Sequence, residues 1–199
     1  MKLKSEVSSW RTPGSMLILV LGSLLCVPAL AADTYVIDTP HSFSHFEVHH
    51  LGLTWILGRF DKTAGRITLD RAAKTGSIEA EIDVSTVSTG DPRRDTLLRS
   101  EDYFNVAKFP TMTYRASRFR FKDDVPVGVD GELTLLGITK PVSLEFASFN
   151  CIVHPANKRD ICGAVARTTI KRSEFGMTRT SRSLSDEIRI SINLEAIKN

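Results

Sequence analysis

Apolar and polar residues alternate along much of this chain, a pattern typical of strands with one buried and one exposed face. The clearest example is residues 131–146, where Leu133 and Leu135 alternate with polar neighbours and Val142 and Leu144 do so again after a glycine-containing connection. Successive side chains of a strand point to opposite faces. The segment therefore predicts a β-hairpin with one apolar face.

The same pattern recurs often enough to predict about eight strands joined by short connections. Residues 49–57 fit either a helical turn or a continued strand, so they stay open at this stage. Hairpins in sequence close into an up-and-down barrel or pack as a sandwich. The predicted strands cover residues 34–38, 42–48, 65–70, 77–84, 111–116, 131–146, 149–151 with 162–170, and 187–196.

One segment between the strands has helical rather than strand character. Asp91 followed by Pro92 is typical of a helix N-cap and first helical position, so residues 88–100 predict one or two helical turns. Aromatic residues follow at Tyr103, Phe104 and Phe109. These residues either cover a packed core or line the mouth of a cavity, and composition alone favours neither.

The N-terminal segment has the features of a secretory signal peptide. A basic start precedes an apolar run over residues 16–27, and Ala29 and Ala31 provide the small residues that a signal peptidase requires. The run is shorter than the roughly 20 residues of a membrane-spanning helix. We therefore expect a signal peptide over residues 1–31, one domain over residues 32–199, and export to the periplasm.

Net charge and cysteine content bear on nucleic-acid binding, disulfide formation and zinc binding. Removing the leader takes away three basic residues and one acidic residue, so the formal net charge falls from +3 to about +1 and gives no indication of nucleic-acid binding. Cys151 and Cys162 remain, and an even pair in an exported protein predicts a disulfide. A zinc site with His154 is disfavoured because zinc-binding cysteines are normally closer in sequence.

Candidate catalytic and metal sites are weak. His41, His45 and His49 share one face of a predicted strand, but at about 3.3 Å per residue they spread over roughly 26 Å, too far for one ion. No G-x-S-x-G motif is present, and no paired carboxylates stand among apolar residues. The sequence therefore predicts neither a metal site nor an enzyme active site.

An ordered set of short motifs resembles the YceI family of bacterial lipid-binding proteins, often called polyisoprenoid-binding. The resemblance covers nearly all of the predicted mature chain. The motifs are Tyr35-Val36-Ile37-Asp38, Phe46-Glu47-Val48-His49-His50-Leu51-Gly52, Gly58-Arg59-Phe60, Ser88-Thr89-Gly90, Arg94-Asp95, Phe109-Pro110-Thr111, Gly131-Glu132-Leu133-Thr134, Gly137-Ile138-Thr139-Lys140-Pro141-Val142 and Arg172-Ser173-Glu174-Phe175-Gly176.

The resemblance implies an all-β, antiparallel, eight-stranded lipocalin-like barrel with one or two short helices near its mouth. It implies a periplasmic carrier or store for a long-chain isoprenoid, quinone or fatty lipid, without catalysis or a cofactor other than that lipid. The alternative is a periplasmic enzyme or stress-response protein acting on such lipids. Thr96 stands where the family commonly has histidine, and the cysteine pair is not general to it. The lipid's identity and a homodimeric state remain open.

Alternation and placement also predict which residues contact the lipid. Arg59 and Arg94 are predicted to meet a polar head group, and the others to contact the apolar chain. The predicted chain contacts are Phe46, Leu53, Trp55, Ile82, Leu97, Phe104, Phe109, Met112, Tyr114, Leu133 and Leu135.

Overall fold

The computed structural model describes residues 32–179 and 182–199. The predicted signal peptide lies outside these described residues. Within them are eleven strands, one α-helix (α1, Pro92–Arg99) and three short 3₁₀ turns at Thr39–His41, Val84–Thr86 and Arg172–Phe175. The strands are β1 Asp33–Ile37, β2 Phe43–His50, β3 Thr54–Phe60, β4 Thr63–Asp70, β5 Thr75–Asp83, β6 Val87–Ser88, β7 Thr111–Lys122, β8 Val125–Leu135, β9 Ile138–Val153, β10 Asp160–Lys171 and β11 Leu184–Lys198.

The strands form one antiparallel sheet that closes on itself. Its order is β1-β4-β5-β7-β8-β9-β10-β11, and β1 also pairs with β11, so eight strands complete a ring. β2 continues from β1 along β11, and β3 leads into β4 in the same way, so each of these pairs acts as one long, interrupted strand. The predicted eight-stranded antiparallel barrel is confirmed.

The helix begins where the sequence predicts. The Asp91 carboxylate accepts a hydrogen bond from the Arg93 backbone N–H at 2.9 Å, which satisfies one of the free donors of the first turn. The Asp95 carboxylate is buried and accepts from both the backbone N–H and the hydroxyl of Thr89. These bonds tie the start of the helix to the segment that follows β6.

Two segments differ in detail from the expectation. Residues 49–57, which fitted either a helical turn or a continued strand, are extended on both sides of a tight reversal and form a hairpin, because Leu51 and Gly52 adopt positive φ and reverse the chain between β2 and β3. β9 is one continuous strand where two were predicted. The register against β10 shifts at Ala147, so Phe146 and Phe149 both face the interior although they are three residues apart.

The disulfide lies within the barrel wall. Cys151 and Cys162 are directly opposite each other on β9 and β10 and are bonded. Cys162 is buried beside Tyr35, Leu69 and Ala196, in a small apolar cluster separate from the main core. The bridge therefore fixes the turn end of the β9–β10 hairpin, near the end of the barrel that contains β1.

Candidate functional site

The barrel encloses two adjoining apolar chambers. The upper chamber has a volume of about 150 Å³ and lies at the end covered by α1 and the residues after it. The lower chamber has a volume of about 90 Å³ and lies at the end that contains β1 and the disulfide. Five residues line both chambers and form a waist between them. The waist residues are Ser44, Ile82, Tyr114, Leu144 and Ile192.

The side chains around the chambers are overwhelmingly hydrophobic. Apart from tyrosines, the upper chamber has polar residues only at Ser44, His45, Thr168 and Arg172 among the described residues. Interior positions of a small barrel can fill with side chains or hold one small or elongated ligand. The unfilled, dry space favours the second of these uses.

Tyr114 is the largest polar side chain at the waist. Its hydroxyl donates a 2.9 Å hydrogen bond to the carbonyl oxygen of Val142, so its one donor is satisfied inside the wall. Burial raises the pKa of the Tyr114 hydroxyl well above its ordinary value of 10.0, and the nearby Asp130 charge adds to this. Tyr114 is therefore neutral at physiological pH and presents mainly its ring to the chambers.

Arg172 is a buried cation beside the upper chamber, with only 5% of its surface exposed. Its Nε donates to the Ser185 carbonyl, and its Nη1 donates to the carbonyls of Met177 and Arg179. These bonds hold the segment between β10 and β11 against the barrel. The guanidinium thus acts as a cross-link that joins Met177 and Arg179 to the start of β11.

The cover of the upper chamber comes from residues after the start of α1. Leu98, Tyr103 and Phe104 line the chamber there. The Arg99 guanidinium donates to the carbonyls of Ser85 and Val87, which fastens the end of the helix to the barrel rim. The polar helix therefore positions an apolar cover.

Close packing of β2 on β3 depends on a glycine. Phe46 faces Gly58 across the ladder, and a Cβ atom at position 58 would lie 2.2 Å from Cζ of Phe46. Only glycine leaves room for that ring. The glycine of the Gly58-Arg59-Phe60 motif is therefore required sterically, because it leaves space for the Phe46 ring, which lines the upper chamber.

Seven of the predicted contact residues meet at the upper chamber. They come from β2, β5, β7, β8 and the segment after α1, which are distant in sequence. The seven are Phe46, Ile82, Phe104, Met112, Tyr114, Leu133 and Leu135.

The other six predicted residues do not line either chamber. Leu53 and Leu97 are exposed, at 77% and 47% of their surface. Trp55 lies on the outer face of β3, where its ring contacts the His49 ring and the Arg189 guanidinium. Phe109 packs beside Gly137 at a distance from the chambers' lining.

The two arginines predicted to meet a head group are occupied elsewhere. Arg59 pairs with Asp61 at 2.6 Å and lies over the ring of Phe43. Arg94 donates to the hydroxyl and the carbonyl of Thr89. Both contacts are on the outside of the barrel or at its rim, because odd-numbered residues of β3 face outward and α1 lies across the end.

Several lining residues were absent from the predicted set. Ile188, Ile190 and Ile192 of β11 line the upper chamber, and their regular alternation was a usable signal. Phe149 lines the lower chamber, but no sequence signal identified it because the bulge at Ala147 changes which face it occupies.

The histidines considered for a metal site do not meet. His45 and His49 lie on β2, whereas His41 belongs to the 3₁₀ turn before it, where its Nδ1 lies 2.7 Å from Oδ2 of Asp38. Among the residues that the structure describes, no helix has both the length and the apolar character needed to cross a membrane.

Comparison with known proteins decides the family. The model of the YceI-like domain matches residues 35–196, which is most of the chain. The chain belongs to the YceI-like family. Two YceI-like relatives are a UPF0312 protein of Enterobacter sp. (strain 638), 34% identical over 92% of this chain and 96% of the relative, and Protein YceI of Salmonella arizonae, 33% identical over 92% and 97%.

Two solved structures share the fold. BcnA of Burkholderia cenocepacia superposes with a TM-score of 0.64 at 23% identity, over 80% of this chain and 98% of that one. A Saccharophagus degradans domain described as polyisoprenoid binding and implicated in plant cell wall breakdown gives a TM-score of 0.60 at 18% identity, over 83% and 98%. At these identities the likeness establishes the barrel architecture.

Proposed function

We propose that this YceI-like protein is a periplasmic carrier or store for a long-chain isoprenoid, quinone tail or related lipid, held inside the barrel. The observation that carries the proposal is the pair of adjoining dry chambers, which run from the α1 end towards the disulfide end. An elongated apolar space suits a flexible hydrocarbon chain. The polyisoprenoid-binding description of the Saccharophagus domain supports the same ligand class.

The energetics favour a chain over a compact ligand. Each CH₂ group taken out of water contributes about 0.8 kcal/mol, so a prenyl or acyl chain supplies most of its own affinity. The chambers are smaller than the roughly 300–1,000 Å³ of ordinary small-molecule pockets. A long chain that occupies both must displace side chains at the waist, where Tyr114 and Ile82 lie on the neighbouring strands β7 and β5.

Binding rather than catalysis accounts for the polar groups beside the chambers. The Arg172 donors Nε and Nη1 bond backbone carbonyls, and the Tyr114 hydroxyl bonds the Val142 carbonyl. A reaction at this site would need a nucleophile, a base and a group to stabilise developing charge within reach of one another. Arg172 and Tyr114 are bonded to backbone carbonyls in this way, so their donors already have partners inside the protein.

Organic extraction of the exported, purified protein followed by mass spectrometry tests the proposal. We expect a lipid with a long apolar chain in a fixed ratio to protein. An unrelated exported protein purified in the same way serves as the control for carried-over membrane lipid. An extract no richer than that control would contradict the carrier function.

A further inference from the structure

A second cluster of functional side chains lies outside the lipid chambers, at the joint between β1 and β2. Asp38 follows the first strand as the N-cap of the 3₁₀ turn, His41 ends that turn, and Glu195 comes from β11. One ligating atom from each of the three lies within 4.8 Å of the others. None of the three lines either chamber, so the cluster is separate from the proposed lipid site.

The backbone holds the three residues in place. The Asp38 N–H donates to the Glu195 carbonyl at 2.9 Å. On the other side of the turn, the Ser42 hydroxyl donates to the Glu195 carbonyl and accepts from the Glu195 N–H, each at 3.1 Å. Both ends of the Thr39–His41 turn are therefore fastened to Glu195. Pro40 restricts the turn further because its ring fixes φ.

The charges of the cluster are poorly balanced by the rest of the protein. Asp38 and Glu195 are both half-buried. In the part of the chain that the structure describes, His41 is the only ion-pair partner of Asp38, and no ion pair includes Glu195. Lys198, the nearest lysine along β11, is engaged with Asp33 and Asp160. Two carboxylates thus share one imidazole.

We propose that Asp38, His41 and Glu195 form a binding site for a first-row divalent cation such as Zn²⁺. One imidazole nitrogen with two carboxylate oxygens is a ligand set that such ions accept, and water completes the coordination on the exposed side. His41 gives access because its side chain is 64% exposed. Ligand bonds of about 2.0–2.2 Å require only a modest side-chain adjustment from the present spacing.

The position of the site gives it a structural consequence. β1 pairs with β11 only over residues 35–37, whereas β10 pairs with β11 over residues 161–171. The β1–β11 ladder is therefore a short part of the seam that closes the barrel, and β2 continues this seam along β11 after the Thr39–His41 turn. The cluster lies at the interruption, immediately beyond the pair Ile37 with Ala196. A bound cation would join the two sides of this seam.

Zinc titration of the purified protein tests the site. The protein carries no polyhistidine tag and is first treated with EDTA and dialysed, and Zn²⁺ is then titrated by isothermal calorimetry. We expect one ion per chain. At about a hundredfold excess of free Zn²⁺ over the dissociation constant, we expect the melting temperature to rise by roughly 5–10 °C.

Matched variants assign the ligands. His41→Ala and Glu195→Gln should each weaken Zn²⁺ binding by at least about tenfold to a hundredfold, while His50→Gln, which removes a histidine elsewhere on β2, should leave it unchanged. Circular dichroism and the melting temperature in EDTA establish that each variant folds. Absence of a one-to-one event in the wild-type protein would overturn the proposal. Binding that survives both ligand variants would overturn it as well.

Discussion

The hairpins β7–β8 and β2–β3 both contain alternating residues, but their apolar side chains face different sides of the barrel wall. In β7–β8, Met112, Tyr114, Leu133 and Leu135 all face the chambers. In β2–β3 the apolar residues divide between faces: Phe46 lines the upper chamber, while Leu53 and Leu57 are exposed at 77% and 62%. Alternation thus identifies the two faces of a strand, but it does not say which face the closed barrel encloses.

The outer face of β3 is stabilised differently from the interior. The Arg189 guanidinium lies 4.0 Å from the centre of the Trp55 ring, and the His49 ring stacks on it at 4.7 Å. A cation above an indole face is favourable without burial. Trp55 therefore keeps an ordered position outside the barrel, where a sequence reading assigns it to the lipid.

The largest expected contrast between the two hairpins is in lipid binding. Leu133→Arg places a charge in the dry upper chamber, where burial of an unpaired charge costs several kcal/mol. We expect it to abolish lipid co-purification, and Ile82→Arg to do the same from the waist. Mass spectrometry of organic extracts measures the lipid content.

Leu57→Arg is the matched control because it introduces the same charge on the exposed face of β3. It should leave the lipid content unchanged. Circular dichroism confirms that the barrel survives in all three variants. Undiminished lipid in folded Leu133→Arg protein would show that the chamber lining is not the binding surface.

The second contrast is in stability. Leu135 is 4% exposed and Leu53 is 77% exposed. Leu135→Ala should lower the free energy of unfolding by about 2–5 kcal/mol because it enlarges a cavity in the packed wall. Leu53→Ala should change it by no more than about 0.5 kcal/mol. Urea denaturation of both variants measures the difference, and equal losses would mean that the exposed side chain is buried in solution.

These two hairpins also show how far the sequence could predict the site. Periodicity was sufficient for the strands, the cap at Asp91 and the inward set of β7–β8, because each depends on neighbours in sequence. It failed for Trp55 and Arg59, whose outward direction follows from the pairing of Phe46 with Gly58 across the β2–β3 ladder. The direction of these two side chains depends on pairing between strands, and the local sequence pattern contains no information about that pairing.

The bulge at Ala147 gives the same lesson for the lower chamber. Phe149 enters the lining only because the extra residue reverses the alternation after Phe146. Regular alternation continued from Phe146 would place Phe149 on the outer face. Sequence analysis therefore predicted the barrel and much of its upper chamber, whereas the lower chamber required the observed register.

The hydroxyl of Tyr114 provides a smaller test on the inward side. Tyr114→Phe keeps the ring at the waist but leaves the Val142 carbonyl without its 2.9 Å partner. We expect the free energy of unfolding to fall by about 1–3 kcal/mol, the cost of an unsatisfied buried group. Lipid content should persist because the ring remains. A loss of lipid in a stable variant would instead indicate that the hydroxyl contacts the ligand.

The pair of Arg189 and Trp55 provides the corresponding test on the outer side. A double-mutant cycle with Trp55→Leu and Arg189→Gln isolates their interaction from the separate effects of each change. We expect a coupling of about 0.5–1 kcal/mol, the usual size for an exposed cation–π contact. Thermal unfolding of the four proteins measures it. A coupling of zero would mean that the stacking does not hold Trp55 on the outer face.

The smallest expected effect is the pH dependence of stability that His45 contributes from β2, where it lies opposite the outward-facing Arg59. Burial lowers the pKa of His45 below the ordinary 6.5, and the charge of Arg59 lowers it further, against a weaker opposing effect of Asp61. The folded protein therefore binds this proton less readily than the unfolded chain. As the pH falls through 6.5, the unfolded chain becomes protonated first, so stability is lost until the folded pKa is passed.

His45→Gln removes this contribution, so the variant should lose less free energy of unfolding than the wild type when the pH falls from about 7.5 to about 5. Urea denaturation in EDTA at these two pH values measures the loss for each protein. The comparison must be a difference between variant and wild type, since hydrogen bonding to Asp38 raises the pKa of His41 and opposes the trend. If the two proteins lose the same free energy over that range, His45 is as well solvated in the folded barrel as in the unfolded chain. The imidazole would then be open to water on the outer face of β2, although Arg59 lies directly opposite it across the β2–β3 ladder.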